Sequence, residues 1–390
     1  MKRIIGVVTS SRSDYGSVLP ILRKIQTNAE LRLHLIVAGM HLSPEFGLTV
    51  KVIEADGFAI GERIEMLLSS DTPEGIAKSM GLGTIAYAQA YARYRPDILV
   101  VFGDRFDMYG AALAALPFNI PVAHVYGGEI TQGAIDDSLR HSMTKLSHLH
   151  FVATKEYARR VLQMGEEPWR VIVSGAPCLD SLHSARAQEP KELAARYGLR
   201  LQEPPLLVTY HPVTLEYEET EWQVRELLDA LRASALPVVF TMPNADTNGR
   251  IIRKHMEDFV GRTSSAQMVT NLGMEGYSSL MRQAVAMVGN SSSGIIEAPL
   301  FGLPVVNIGT RQQGRLRAEN IVDVGYHREE ILEGIRKAVA PEFRARLTGK
   351  PNPYGNGCAS EVIVKRLQEV PLDRKLIQKR FVDVPVPSMC

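Results

Sequence analysis

The chain has 390 residues, 45% of them hydrophobic, and 44 Lys+Arg stand against 43 Asp+Glu for a net charge of +1. That length predicts two domains, and so even a balance without a long basic stripe argues against nucleic-acid binding as the main role. The apolar runs are too short for a secretory leader or a membrane span, and three scattered cysteines (Cys178, Cys358, Cys390) without metal-type spacing suit a reducing compartment, so a soluble cytoplasmic protein is expected.

In chain order, short apolar runs alternate with helical patterns. Arg3–Thr9 reads as a strand, the polar turn SSRSDYGS follows, and a helix runs to about Gln26. Leu31–Val37 reads as a strand and Pro44–Ala55 as a helix. Pro73–Arg93 is a long helix stopped by Pro96, Asp97–Phe102 a buried strand, and Met108–Leu116 a helix. Pro121–Val125 and Leu149–Ala153 are strands, each followed by a helix, Asp136–Leu146 and Lys155–Met164. This alternation predicts a parallel sheet covered on both faces.

The pattern weakens over Gly175–Pro205, where prolines punctuate a short helix, Lys191–Tyr197; the boundary between domains is expected there. A second series follows, with strands Leu206–Tyr210, Val238–Thr241, Gln267–Thr270, Val285–Gly289 and Val305–Ile308. The expectation is α/β, two doubly wound Rossmann-like domains over 1–174 and 175–370, with 371–390 as a helix and irregular tail. Ligands in such folds bind beyond the carboxyl ends of strands, which here means the cleft between the domains.

The polar residues collect at those strand ends. The turn Ser10–Gly16 lacks both the dinucleotide and the P-loop fingerprints. It carries two readings: Ser13 or Asp14 capping a helix, and Arg12 meeting an anion. Strand DILVVF ends in Gly103-Asp104-Arg105, an acid and a base in the active-site zone. His124-Val-Tyr-Gly-Gly-Glu129 then leads to Asp136 and Asp137, one of which is expected only to cap its helix. Asp104, Glu129 and this pair crowd four acids at one sheet edge, which suits proton transfer because crowded, half-dry carboxylates raise one another's pKa. His148 and His150 share a strand face and read as a polar strand end rather than a metal pair.

In the second half, His211 follows a strand and reads either as a phosphate donor or proton carrier, or as a structural histidine. Asn244 in TMPNADTNG reads as a ligand contact or a turn residue. The run Gly289–Arg315, GNSSSGIIEAPLFGLPVVNIGTRQQGR, is strand, Ser/Gly turn, helix, Gly-Pro turn, strand, and a loop bearing Arg311 and Arg315. Hydroxyls and backbone N–H groups at a helix start, with arginines returning beside them, suit a nucleotide diphosphate.

Together these segments resemble the hydrolysing UDP-N-acetylglucosamine 2-epimerases of sialic acid biosynthesis. The resemblance is carried by SSRSDYG, AGMH, GDRFD, GGE…DDSLRHSMTKLSHLHF, YHPVT, NADT, GNSSSGIIEAP, NIGTRQQGR and NPYGNG, in the family's order, to about Leu367. It implies the GT-B arrangement of two Rossmann-like domains, with Asp373–Arg380 or the helix before it crossing back to the first domain. The implied reaction eliminates UDP to a 2-acetamidoglucal and adds water to give free N-acetylmannosamine, with no cofactor and no metal. A sister enzyme acting on a UDP-2,4-diacetamido-2,4,6-trideoxy sugar, a non-hydrolysing epimerase, and a GT-B transferase or nucleotide-sugar binder are the alternatives.

By the same resemblance, Asp104, Glu129 and Asp136 are the acid–base candidates, with His211 able to assist. Arg12, Arg105, His211, Asn244, Ser291, Ser292, Glu297 and Arg311 would hold UDP, Glu297 through the ribose. A homodimer or homotetramer with a nucleotide sugar as the only other partner is implied. One departure stands out: some members carry glutamate where this chain has Tyr126, so the acid role there passes to Glu129 or another carboxylate, or is absent.

Overall fold

Apolar runs of four to eight residues, each closed by a turn, form parallel strands buried on both faces. The first sheet is built from β1 (Arg3–Thr9), β2 (Leu31–Ala38), β3 (Ile60–Ile64), β4 (Ile98–Phe102), β5 (Val122–Val125), β6 (Leu149–Val152) and β7 (Val171–Val173), in spatial order 3-2-1-4-5-6-7. The second is built from β8 (Leu206–Thr209), β9 (Val238–Thr241), β10 (Ala266–Val269), β11 (Ala286–Gly289), β12 (Val305–Ile308) and β13 (Ile321–Val324), in spatial order 10-9-8-11-12-13. This is a computed structural model, and it describes residues 2–70, 72–131, 135–242, 248–270 and 272–385.

Both sheets reverse their winding at one place. In the first, β1 pairs β4 through Ile5↔Ile98 and Val7↔Val100; in the second, β8 pairs β11 through Leu206↔Ala286 and Thr209↔Gly289. Helices leave to opposite faces at such switch points and open a crevice beyond the strand ends. The turn after β1, the GDR turn after β4, the His211 turn after β8 and the Asn290–Ser293 turn after β11 all start there. The observed fold is thus the expected pair of doubly wound domains.

The sheets do not meet only at the cleft. One apolar cluster joins Val152, Tyr157 and Val161 of the first half to Leu207, Leu280, Ile295 and Tyr354 of the second, so the two layers share a core on one side. The chain then returns: helix Ala359–Glu369 packs beside helix Arg12–Thr27, and Ile363, Val364, Leu367, Val370 and Leu376 complete the first sheet's core. Of the expected helix Asp373–Arg380, only Arg374–Ile377 is helical. The buried Arg170 guanidinium fastens this segment, donating to the carbonyl oxygens of Leu376 (2.8 Å), Lys375 (2.7 Å) and Gln378 (3.1 Å).

Two further expectations change. Pro44–Ala55 is a short turn, Pro44–Phe46, and a helix, Val50–Ala55, parted where Gly47 (φ +85°) and Leu48 (φ +46°) enter left-handed backbone. The edge strands β3, β7 and β13 go unpredicted; with one neighbour each they are half-exposed and lack a full apolar run. No described helix is long and apolar enough to cross a membrane.

Candidate active site

The turn after β1 is stapled from within. Ser11, not Ser13 or Asp14, is the N-cap of helix Arg12–Thr27. Asp14 folds back to accept from the backbone N–H of Ser10 (3.1 Å) and Ser11 (2.8 Å) and from the Ser11 hydroxyl (3.0 Å). It is thereby occupied in holding the turn. Arg12 is left at the first helical position, and its guanidinium donates across the cleft to the Thr270 carbonyl.

The opposite wall is organised by Asn290. Its side chain accepts from the His211 N–H (2.7 Å) and donates to the His211 carbonyl (2.8 Å), tying the end of β8 to the end of β11. Its own carbonyl accepts from Arg311 Nη1 (3.1 Å) and Gln312 Nε2 (2.8 Å). Gly289 turns the chain into this corner at φ +139°, where any Cβ would strike the Thr209 carbonyl. Ser291 caps the short helix Ser292–Ile296, and Ser293 bonds Tyr277 Oη at 2.7 Å.

Between these walls lies a cleft of about 370 Å³. Arg12, His211, Ser291, Ser292 and Glu297 all line it, with Val269, Leu272 and Tyr277 as apolar wall. Burial pushes the Glu297 carboxyl up to about 7. The cleft therefore offers donors at one end and an acceptor beside an apolar wall, the chemistry of a nucleoside diphosphate pocket.

The acids form a neighbouring cluster, joined to this wall through Arg311, whose Nη2 lies 4.0 Å from Asp136 Oδ2. Asp104 is paired with the fully buried Arg140 and lies 3.9 Å from Arg315 Nη2. Glu129, almost fully buried, holds Arg315 Nη2 at 2.9 Å through Oε2. Burial raises the Glu129 carboxyl above its usual range, while Arg315 and then Arg160 pull it back. Neither acid caps helix Asp136–Leu146, whose N-cap is Ile135 without a side-chain bond. Asp137 is structural in another way: it accepts from the Thr131 N–H (2.6 Å) in the preceding loop and lies 3.3 Å from Arg140 Nη1.

Arg105 is placed differently from Arg12. It stacks over Phe106, lies 3.4 Å from the buried Asp107, and is not among the residues lining the cleft. Arg311 is not among them either; it stands behind the wall on the Asn290 carbonyl, toward Asp136. Asn244 lies outside the described residues. Tyr126 is partly buried, with its hydroxyl accepting from the Cys178 N–H (3.3 Å) and 3.2 Å from Ser17 Oγ, so it bolts helix Arg12–Thr27 to helix Cys178–Ser184 and is not among the cleft residues. His148 Nδ1 accepts from the Val122 N–H (3.1 Å), and His150 Nε2 meets buried Glu166 at 3.1 Å. Among the described residues no group of three His, Cys, Asp or Glu converges as a metal-binding set.

Two arginines escape the sequence reading. Arg140 has no role assigned from sequence, although its i,i+3 spacing from Asp137 marks one face of helix Asp136–Leu146. Arg315 is visible in sequence as a phosphate partner, yet it contacts the acids.

The family model described as UDP-N-acetylglucosamine 2-epimerase matches residues 23–368. The chain is 40% identical to a GDP/UDP-N,N'-diacetylbacillosamine 2-epimerase (hydrolyzing) of Campylobacter jejuni, over 98% of this chain and 100% of that one. It is 34% identical to a UDP-N,N'-diacetylbacillosamine 2-epimerase (hydrolyzing) of Legionella pneumophila, over 97% and 99%. It is 32% identical to a UDP-N-acetylglucosamine 2-epimerase of Neisseria meningitidis serogroup B, over 98% and 100%. Among solved structures, a UDP-GlcNAc 2-epimerase from Neisseria meningitidis bound to UDP-GlcNAc superimposes with TM-score 0.81 at 18% identity, covering 95% of this chain and 100% of that one. That likeness carries the GT-B-like fold, and the family match over most of the chain carries the kinship: the chain belongs to the UDP-N-acetylglucosamine 2-epimerase family.

Proposed function

We propose that this protein is a hydrolysing 2-epimerase of a UDP-2-acetamido sugar, which eliminates UDP and then adds water. The observation that carries the reading is the meeting of Asp104, Glu129 and Asp136 with Arg311 and Arg315 across the domain boundary. The cleft wall of Arg12, His211, Ser291 and Ser292, with Arg311, would take the diphosphate. These donors stabilise the leaving oxygen as the C1–O bond breaks and negative charge gathers on it. A carboxylate then removes the C2 proton from a ring already gaining cationic character; in the hydration a carboxylic acid delivers a proton to the opposite face of C2, while water adds its oxygen at C1 and gives up a proton to a carboxylate. Glu297 would accept from the ribose hydroxyls once ionised.

The favoured sugar is the 2,4-diacetamido-2,4,6-trideoxy one. Support comes from the Campylobacter and Legionella relatives at 40% and 34%, against 32% for the N-acetylglucosamine enzyme. UDP-N-acetylglucosamine is the second reading, kept because that relative also spans the whole chain. Both sugars are to be incubated separately with the protein in D2O. The expected result is UDP release with a free 2-epimerised sugar carrying solvent deuterium at C2, faster from the diacetamido substrate. Product retaining the C2 hydrogen overturns elimination; a faster N-acetylglucosamine reaction selects the second reading.

A further inference from the structure

We infer that Arg315 is a positioning residue for Glu129, holding that carboxylate ionised and turned so that one oxygen is left for the substrate. The inference rests on reading Glu129 as a proton-transfer group. Arginine in a TRQQGR loop is expected on phosphate, but here Nη2 of Arg315 goes to the acids. Arg315 and Glu129 side chains are 8% and 1% exposed, with Nη2 to Oε2 at 2.9 Å. Oε1 of Glu129 is buried and has no hydrogen-bond partner among the described residues; the same holds for Nε and Nη1 of Arg315. Buried polar atoms without partners are costly and persist where function needs them. The tied oxygen fixes the plane of the carboxylate, and the bare one keeps the lone pair that accepts a proton.

Two tyrosines hold the arginine in place. Tyr157, in helix Lys155–Gln163 of the first half, accepts from the Leu316 N–H at 3.0 Å. Tyr354 donates to the Leu316 carbonyl at 2.8 Å, and the two phenol oxygens are 2.8 Å apart. The residue after Arg315 is therefore fixed at both backbone groups. By sequence this loop belongs to the diphosphate half, yet it is fastened to a helix of the sugar half. Four residues earlier, Arg311 stays with the Asn290 corner. One loop thus divides its arginines between leaving group and base.

The charges around Glu129 agree. Burial favours its protonated form, Arg315 is the foremost opposing influence, and Arg160 the second. Arg140 donates to the Glu129 carbonyl at 3.1 Å but pairs its charge with Asp104. Tyr157, Tyr354 and Cys178 also face it, and burial keeps all three neutral.

The test compares wild type, R315Q, R315K and Y354F. For each, kcat/KM is followed from about pH 5.5 to 9, UDP affinity is read by calorimetry, and the Glu129 carboxylate is titrated by infrared spectroscopy, assigned with E129Q. Losing the counter-cation should move the acidic limb of R315Q to higher pH and cut kcat by about a hundredfold on that limb. UDP affinity should stay within about twofold, since uniform binding is untouched. R315K should recover part of the rate, and Y354F should move the limb the same way by less. The infrared titration should shift likewise without turnover, so inactivity of wild type on both sugars would count against the functional reading alone. An unmoved titration and limb, or a collapse of UDP affinity, overturns the inference. Should R315Q not fold, Y354F carries the same comparison.

Discussion

The side-chain amide of Asn290 grips both backbone groups of His211, accepting from its N–H at 2.7 Å and donating to its carbonyl at 2.8 Å. That amide ties the switch point of the second sheet to the His211 turn, and the Asn290 main-chain carbonyl adds the Arg311 loop, so that one residue makes them a single wall.

Asn290→Ala should loosen the wall as a unit. Two buried backbone groups lose their partners, each worth about 1–3 kcal/mol. Thermal unfolding should show the loss of stability, and calorimetry should show weaker UDP binding even though the amide itself need not touch the nucleotide.

Arg311→Ala and the acid variants should separate binding from chemistry. Losing Arg311 should weaken UDP binding by about tenfold or more, the scale of a charge-assisted pair. Asp104→Asn and Glu129→Gln should cut turnover by about a hundredfold or more while UDP affinity holds near wild type. Calorimetry with UDP beside steady-state rates checks both.

Glu297 should make stability fall with rising pH. Its carboxyl sits near 7 in the folded chain, above the ordinary carboxylate value, because burial disfavours the charge. The native state therefore keeps a proton that the unfolded state loses. Its contribution is full below about pH 4.5 and is lost as pH rises through 7, on the order of 3 kcal/mol in all. Glu297→Gln should erase this slope, so melting temperatures of variant and wild type should diverge progressively over that window.

Arg250 and Glu45 bridge the domains at the rim, with Nε to Oε1 at 2.9 Å, while Arg250 Nη2 also reaches Ser69 Oγ at 3.2 Å. Both side chains are partly exposed, so Arg250→Ala should change stability by less than about 1 kcal/mol. It should still favour a wider cleft, read as a larger radius of gyration in small-angle scattering without nucleotide.

The sequence announced most of this architecture because buried parallel strands leave an unmistakable trace. Arg3–Thr9, Val238–Thr241 and Val305–Ile308 fall where apolar runs meet turns, and helices Pro73–Arg93 and Asp136–Leu146 fall between clear stop signals. The edge strands β3 and β13 have their apolar runs broken by Glu62, Arg63 and Asp323 and look like loops. Arg12, His211, Ser291, Ser292 and Glu297 were legible as cleft residues because they follow strand ends, whereas Arg105 and Arg311, read the same way, turn to other partners. The pairing of Arg315 with Glu129 and of Arg140 with Asp104 was not, since the first depends on how two domains meet and the second on a helix face turned inward. Asp14 shows the converse: local hydrogen bonds in a tight turn decided its place, and residue type alone did not reveal which polar group would cap.

The returning segment bears on how the chain is made. Ile363, Val364, Leu367 and Leu376 fill the core of the first sheet, and Arg170 waits for carbonyls that lie some two hundred positions later. Domains usually fold in order as they leave the ribosome. Here the half synthesised first is finished last, and it stays an unsealed layer until the opposite half has emerged and the tail has come home.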